Sequence, residues 1–177
     1  MTVTIVYETH STSEDNEAGR AAGWNNAPLT AEGRAQAAAL GERRRNDDLA
    51  AVFASDLQRA RETMEVAFEG TDVPRFLDWR LRECNYGDLN GAPSATVHEQ
   101  RVDRLTTPYP NGESWAQAVA RVVGSLDDIA ARFVGKRVLV IGHIATRWAL
   151  WHLVDGRTLE DLATADFTWQ EGWEFRL

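Results

Sequence analysis

Three short apolar runs, Val3–Tyr7, Ala50–Ala54 and Val138–Ile141, alternate along the chain with segments whose apolar residues recur at helical intervals. The runs are too short for helices and, with polar residues at their ends, read as buried strands. Thr30 caps a helix predicted over Ala31–Asn46, with a small-residue face at Ala35, Ala38 and Ala39. A second helix is predicted over Asp56–Phe68 from Leu57, Ala60, Met64 and Ala67. The clearest pattern, Val119, Val122, Leu126, Ile129 and Phe133, predicts a helix over Ser114–Phe133, and another follows over Ala145–Val154. Strands alternating with helices predict an α/β fold, a three-layer α/β/α sandwich around a mostly parallel sheet. No repeat, low-complexity tract or linker divides the chain, so residues 1–177 are expected to form one domain.

Two regions are harder to read. The polar segment Glu8–Pro28 is predicted to be a long loop, a feature usually tied to function. Gly70–Asn111 holds four of the five prolines; a strand around Trp79–Arg82 and a short helix near Thr96–Val102 are the expectations there. Phe167–Phe175 alternates aromatic with polar residues and predicts an edge strand.

Charge narrows the partners. With 27 Asp+Glu against 19 Lys+Arg the net charge is -8, which argues against nucleic acid or a membrane surface. An anionic ligand must therefore be held by locally placed cations, and all of these except Lys136 are arginines. Cys84 stands alone, and Val3–Tyr7 is too short for a signal peptide or membrane span, so a reducing cytoplasm is the expected location.

In open α/β sheets ligands bind beyond the carboxyl ends of the strands. His10 follows the first strand, Arg59 sits just after the second and His143 follows the Val138–Ile141 strand, so the three should converge. Two neutral imidazoles and a guanidinium suit a phosphate: one histidine attacks phosphorus while the others stabilise the equatorial oxygens. The N–H groups of Ile144 and Ala145, opening a helix, are expected to face an anion. A leaving alkoxide needs a proton donor, for which Glu83 is the best candidate; its other reading is a surface carboxylate paired with Arg80 or Arg82. His98 and His152 have no supporting context.

These residues carry a family resemblance. Thr9-His10-Ser11 with Asn16 resembles the Arg-His-Gly opening motif of the histidine phosphatase superfamily, also called phosphoglycerate mutase-like. Arg20-Ala-Ala-Gly23-Trp24 and Pro28-Leu29-Thr30-Ala-Glu-Gly33 are similar to its next block, and Ser55-Asp-Leu-Gln-Arg59-Ala60-Arg61-Glu-Thr63 to its second-arginine motif. Leu81-Arg-Glu83-Cys-Asn-Tyr-Gly87 and Val138-Leu-Val-Ile-Gly-His143 complete the series in the same order. The resemblance implies a phosphoglycerate mutase-like fold and a phosphatase acting on a small phosphate monoester. It implies His10 as nucleophile through a phosphohistidine, Glu83 as proton donor, and Arg59 and His143 lining the phosphate pocket. Asn16 and Gly23 would lie near substrate oxygens, with no metal or organic cofactor.

Thr9 departs from the pattern where the family has its first arginine, exchanging a bidentate cation for one neutral hydroxyl. Ser11 and Ile144 stand where the family has glycine. Arg20, Arg61 or Arg147 is the candidate to refill the pocket, with Arg20 preferred and surface positions the other reading for Arg61 and Arg147. The alternatives are a repurposed member with non-phosphatase acid–base chemistry, or a pseudoenzyme that binds a phosphorylated ligand. Trp24 is expected to stack on an organic substrate, and Trp79 and Trp115 to lie in the core. Trp148, Trp151, Trp169 and Trp173 suggest internal packing or, as the other reading, a homodimer interface.

Overall fold

In the computed structural model, which describes residues 2–177, alternate side chains of each inner strand enter two separate cores. Ile5, Tyr7, Val138 and Val140 face one side of the sheet, and Val6, Leu139 and Ile141 face the other. This explains why these strands are apolar throughout: both faces are covered. The sheet runs β4 (Arg75–Leu77), β3 (Ala51–Ala54), β6 (Arg137–Gly142), β1 (Thr4–Thr9), β7 (Trp173–Arg176). All pairings are parallel except that of β1 with the edge strand β7.

Helices α2 (Ala31–Arg44) and α3 (Gln58–Ala67) cover one face through Leu40, Ala60, Met64 and Ala67. On the other face α5 (Trp115–Arg132) packs Val119, Val122, Leu126 and Ile129 against the sheet, beside α6 (Ile144–Asp155). The result is the expected three-layer sandwich. Short elements complete it: α1 (Glu14–Glu17), α4 (Ser94–Glu99), α7 (Leu159–Thr164), and a two-stranded ribbon of β2 (Arg20–Ala21) with β5 (Ala92–Pro93). Among the described residues no helix is long and apolar enough to cross a membrane.

Several local expectations are corrected. The Glu8–Pro28 loop contains α1, where the Ser13 hydroxyl accepts the Asn16 N–H and the Asn16 side chain bonds back to Ser13. This reciprocal cap stabilises one turn that has no apolar periodicity to reveal it. Helix α2 buries Gly33, Ala37, Leu40 and Gly41, whereas Ala35, Ala38 and Ala39 face outward. With so many alanines its small residues do not single out a face. Trp79–Leu81 is a 3-10 turn capped by Asp78, and the strand lies just before it at β4. Trp79 is exposed rather than core, while Trp115 is fully buried. The tail forms a strand only at β7; before it, Phe167 and Trp169 lie over a cavity.

Candidate active site

Strand register brings the site together. Thr9 of β1 pairs with Gly142 of β6, so His10 and His143, the next residue on each, emerge side by side. The His10 N–H donates to the Gly142 carbonyl (3.1 Å), and the two imidazole rings lie 4.9 Å apart. Ala54 of β3 pairs with Ile141, which sets Ser55 beside His143. Its hydroxyl lies 2.7 Å from His143 Nε2. The Tyr7 hydroxyl donates to the His143 carbonyl (2.9 Å).

Arg59, at the start of α3, is almost completely buried between the histidines. Its Nη2 donates to the Gly23 carbonyl (2.9 Å) and its Nη1 to the Asn25 carbonyl (3.2 Å). Its Nε donates to His10 Nε2 (3.2 Å), and Nη2 also faces His143 Nδ1 (3.4 Å). Because guanidinium only donates, both of these ring nitrogens are acceptors, and His143 Nε2–H then points at Ser55. His10 Nδ1–H donates to the Ser11 carbonyl (2.8 Å), which fixes the tautomer with a lone pair on Nε2. The Ser11 N–H in turn donates to Thr63 Oγ1 (3.0 Å).

Both imidazoles are held neutral. Burial above all, with the Arg59 charge second, pulls His10 down to about 3 against the opposing hydrogen bond to Ser11. Burial, then the Arg59 charge, holds His143 well below its ordinary value.

Glu83 is buried beside them, so the surface-carboxylate reading is set aside; Arg82 pairs instead with Asp56 and Arg80 with Asp78 and Asp128. The Glu83 carboxylate accepts the N–H groups of Cys84 (2.9 Å), Ala145 (3.1 Å) and Ile144 (3.1 Å). The N–H groups that open α6 are therefore taken up within the protein, by the carboxyl oxygens of Glu83.

One cavity of about 780 Å³ is lined by Thr9, His10, Ser11, Asn16, Arg20, Gly23, Arg59, Glu83, His143 and Ile144. Trp24 is absent from its wall. Its indole donates to the Glu83 carbonyl (2.7 Å) and packs under Arg82, so it backs the acid instead of offering a free face. Gly23 has a left-handed φ of 53°, and a side chain there would collide with Asn90, so its place in the motif serves the carbonyl that holds Arg59. Thr9 Oγ1 accepts the Trp169 indole N–H (3.2 Å).

Of the three arginines that stood to replace the one missing at position 9, Arg61 pairs with Glu65 and lies off the cavity. Arg20 lines it from an exposed position with one nitrogen on the Gly91 carbonyl (3.0 Å). Arg147 lines it from the interior, contrary to its surface reading.

Sequence reasoning missed the supporting groups Tyr7, Ser55 and Thr63, although the last two stand inside the second-arginine motif. It also gave no part to His98, Arg101, Phe167 or the cavity-facing side of Trp169, all of which line the cavity. His152 caps its own helix end on the Arg157 carbonyl, away from the cavity.

Two neutral imidazoles and a buried guanidinium thus converge at one point on the carboxyl edge of a parallel sheet, an arrangement suited to binding a phosphate. Comparison with known proteins takes this further: residues 9–169 match the histidine phosphatase superfamily (branch 1), and the chain belongs to that family. It is 33% identical over 174 residues to a 2,3-bisphosphoglycerate-dependent phosphoglycerate mutase of Methylobacterium sp. (strain 4-46), covering 89% of this chain and 83% of that one. It is 28% identical over 147 residues to the uncharacterized phosphatase PhoE of Bacillus subtilis (strain 168), covering 83% and 75%. Among solved structures, Bacillus stearothermophilus YhfR superposes with a TM-score of 0.84 at 26% identity, over 96% of this chain and 88% of that one.

Proposed function

We propose that this protein is a phosphatase that hydrolyses a small phosphate monoester through a phosphohistidine on His10. The observation that carries the reading is the state of His10. Its Nδ1–H is tied to the Ser11 carbonyl, and its neutral ring presents the Nε2 lone pair to the cavity beside Arg59.

A phosphate seated between His10, Arg59 and His143 replaces the contact of Arg59 Nε with His10 Nε2. His10 Nε2 attacks phosphorus and the ester P–O bond breaks. Glu83 is the proton donor to the leaving alkoxide. Water then attacks the phosphohistidine and loses its proton to Glu83, which restores the acid and releases orthophosphate from His10. Arg59 and His143 stabilise the equatorial oxygens throughout. Thr9, Ser11, Asn16, Arg20 and Ile144 are the substrate-binding wall; Arg20 is the replacement for the arginine missing at position 9. Asn16 and Arg20 are exposed, so water reaches the cavity from that side, which favours hydrolysis over return of the phosphate to a second position on the substrate.

The test is a panel of phosphate esters presented to the wild type and to His10→Ala, with orthophosphate release and substrate isomerisation both measured. Orthophosphate release that disappears in the variant supports the proposal. Isomerisation without release makes the protein a mutase. Tight binding of a phosphorylated ligand without turnover makes it a binding protein, and turnover of a phosphate-free substrate makes it a repurposed member.

A further inference from the structure

We infer that the cavity contains a second anion-binding subsite formed by Arg101 and Arg147, and that the substrate therefore carries a second acidic group, a carboxylate or a phosphate, besides the ester phosphate. The inference rests on reading the cavity as the phosphatase site and adds the substrate class.

Arg147 sits on the first turn of α6, four residues past His143, and its side chain leans back toward the helix N-terminus where the cavity lies. It is 7% exposed, and its Nε has no hydrogen-bond acceptor. Arg101 lines the same cavity, and its Nε is likewise buried without an acceptor. Among the described residues neither guanidinium has an ion-pair partner. Other partly buried arginines have one: Arg43 and Arg44 meet Glu8, Arg82 meets Asp56 and Arg121 meets Glu113.

Aromatic faces hold the two cations instead. The Arg147 guanidinium lies 3.7 Å from the Phe167 ring centroid and 5.2 Å from that of Trp151. Arg101 lies 5.7 Å from the centroids of both Trp115 and Trp148. Stacking orients a guanidinium plane and leaves its N–H edge free for a planar or tetrahedral oxyanion. Burial disfavours the Arg147 cation; Tyr7 and Glu83 favour it, and the nearby Arg101 charge disfavours it again. Two like charges held close in a partly dry cavity are a cost that a bound anion removes. The cavity of about 780 Å³ has room for much more than one phosphate.

The test compares matched esters: 3-phosphoglycerate with glycerol 3-phosphate for a carboxylate, and fructose 1,6-bisphosphate with fructose 6-phosphate for a second phosphate. In the wild type, kcat/KM favours the member with the extra anion in one pair by about tenfold or more. In Arg147→Met and in Arg101→Gln that ratio collapses toward one, chiefly through KM. A ratio near one in both wild-type pairs, or a ratio that survives both substitutions, overturns the subsite. Should no ester be turned over, the phosphatase reading fails and the subsite is read separately by ligand-induced rise in Tm. The member with the extra anion must then stabilise the wild type more than its partner does, and lose that advantage in Arg101→Gln. Equal shifts in the wild type overturn the subsite on their own. The ligand-free Arg147→Met protein is expected to melt above the wild type, because a buried unpaired charge is gone; a lower Tm with the ester preference retained assigns Arg147 a packing role.

Discussion

Thr63 is buried and does not line the active-site cavity, yet the geometry makes it the support of the nucleophile. Its hydroxyl accepts the Ser11 N–H (3.0 Å) and donates to the Arg59 carbonyl (2.7 Å), while the Ser11 carbonyl holds His10 Nδ1–H (2.8 Å). Thr63→Val keeps the side-chain shape and removes the hydroxyl, leaving the Ser11 N–H buried without an acceptor. Such an orphan costs about 1–3 kcal/mol. For a chain of this length each kcal/mol is worth roughly 2–4 °C in Tm, so a loss of about 2–12 °C is expected. Catalysis should suffer separately. A shift of the Ser11 backbone moves the carbonyl that sets His10, and a misplacement of about 1 Å costs on the order of a hundredfold in rate. Steady-state orthophosphate release and thermal unfolding are measured on wild type, Thr63→Val and Thr63→Ser. The valine variant is expected to lose about ten- to a hundredfold in kcat, with KM little changed, and the serine variant to recover most of it. A valine variant with wild-type Tm and wild-type kcat would refute the chain of support from Thr63 through Ser11 to His10.

Other consequences can be checked on the same preparation. Thr9→Arg restores a charge-assisted contact at the cavity wall and should tighten orthophosphate inhibition by about tenfold or more; no change would mean that position 9 does not face the phosphate. Arg20→Ala should weaken that inhibition several-fold, and unchanged inhibition would remove Arg20 from the pocket. Because His10 is depressed to about 3 from an ordinary 6.5, the unfolded chain binds a proton that the folded one does not between those values. This contribution to stability is complete above about pH 6.5 and declines as pH falls toward 3, at up to about 1.4 kcal/mol per pH unit. Urea unfolding across this window should show a shallower decline for His10→Asn, and identical slopes would contradict the buried neutral imidazole. Gly23→Ala forces a left-handed backbone onto alanine and drives its methyl into Asn90, so both Tm and activity should fall as the carbonyl that holds Arg59 is displaced.

The frame of the fold was legible because its strands are buried on both faces, which leaves uninterrupted apolar runs that no surface element imitates. The meeting of His10, Arg59 and His143 was legible for a related reason: strand ends in a parallel sheet converge whatever their distance in sequence. What escaped the sequence depends on contacts between segments with no shared pattern. Phe167 and Trp169 cross the cavity from an irregular tail, and nothing in their spacing indicates the partners Arg147 and Thr9. Arg147 itself sits on a helix that is apolar nearly all round, so its position in the pattern does not reveal whether it faces solvent or the cavity. The sequence pointed to an anion at the N-terminus of α6, but the group that takes up its N–H donors, Glu83, comes from the proline-rich middle, which has no regular period. Trp79 follows the same logic: an aromatic in a short 3-10 turn carries no periodicity, and it is exposed.

Phosphoryl transfer to His10 can be observed directly. Acid-stable and acid-labile phosphate can be distinguished by rapid quenching of the enzyme during turnover of a 32P-labelled ester, followed by peptide mapping. Label is expected on the peptide containing His10, surviving base, released by acid, and absent from His10→Asn, in which orthophosphate release is also lost. Release that continues in His10→Asn, or turnover in the wild type with label on another residue, contradicts phosphoryl transfer to His10.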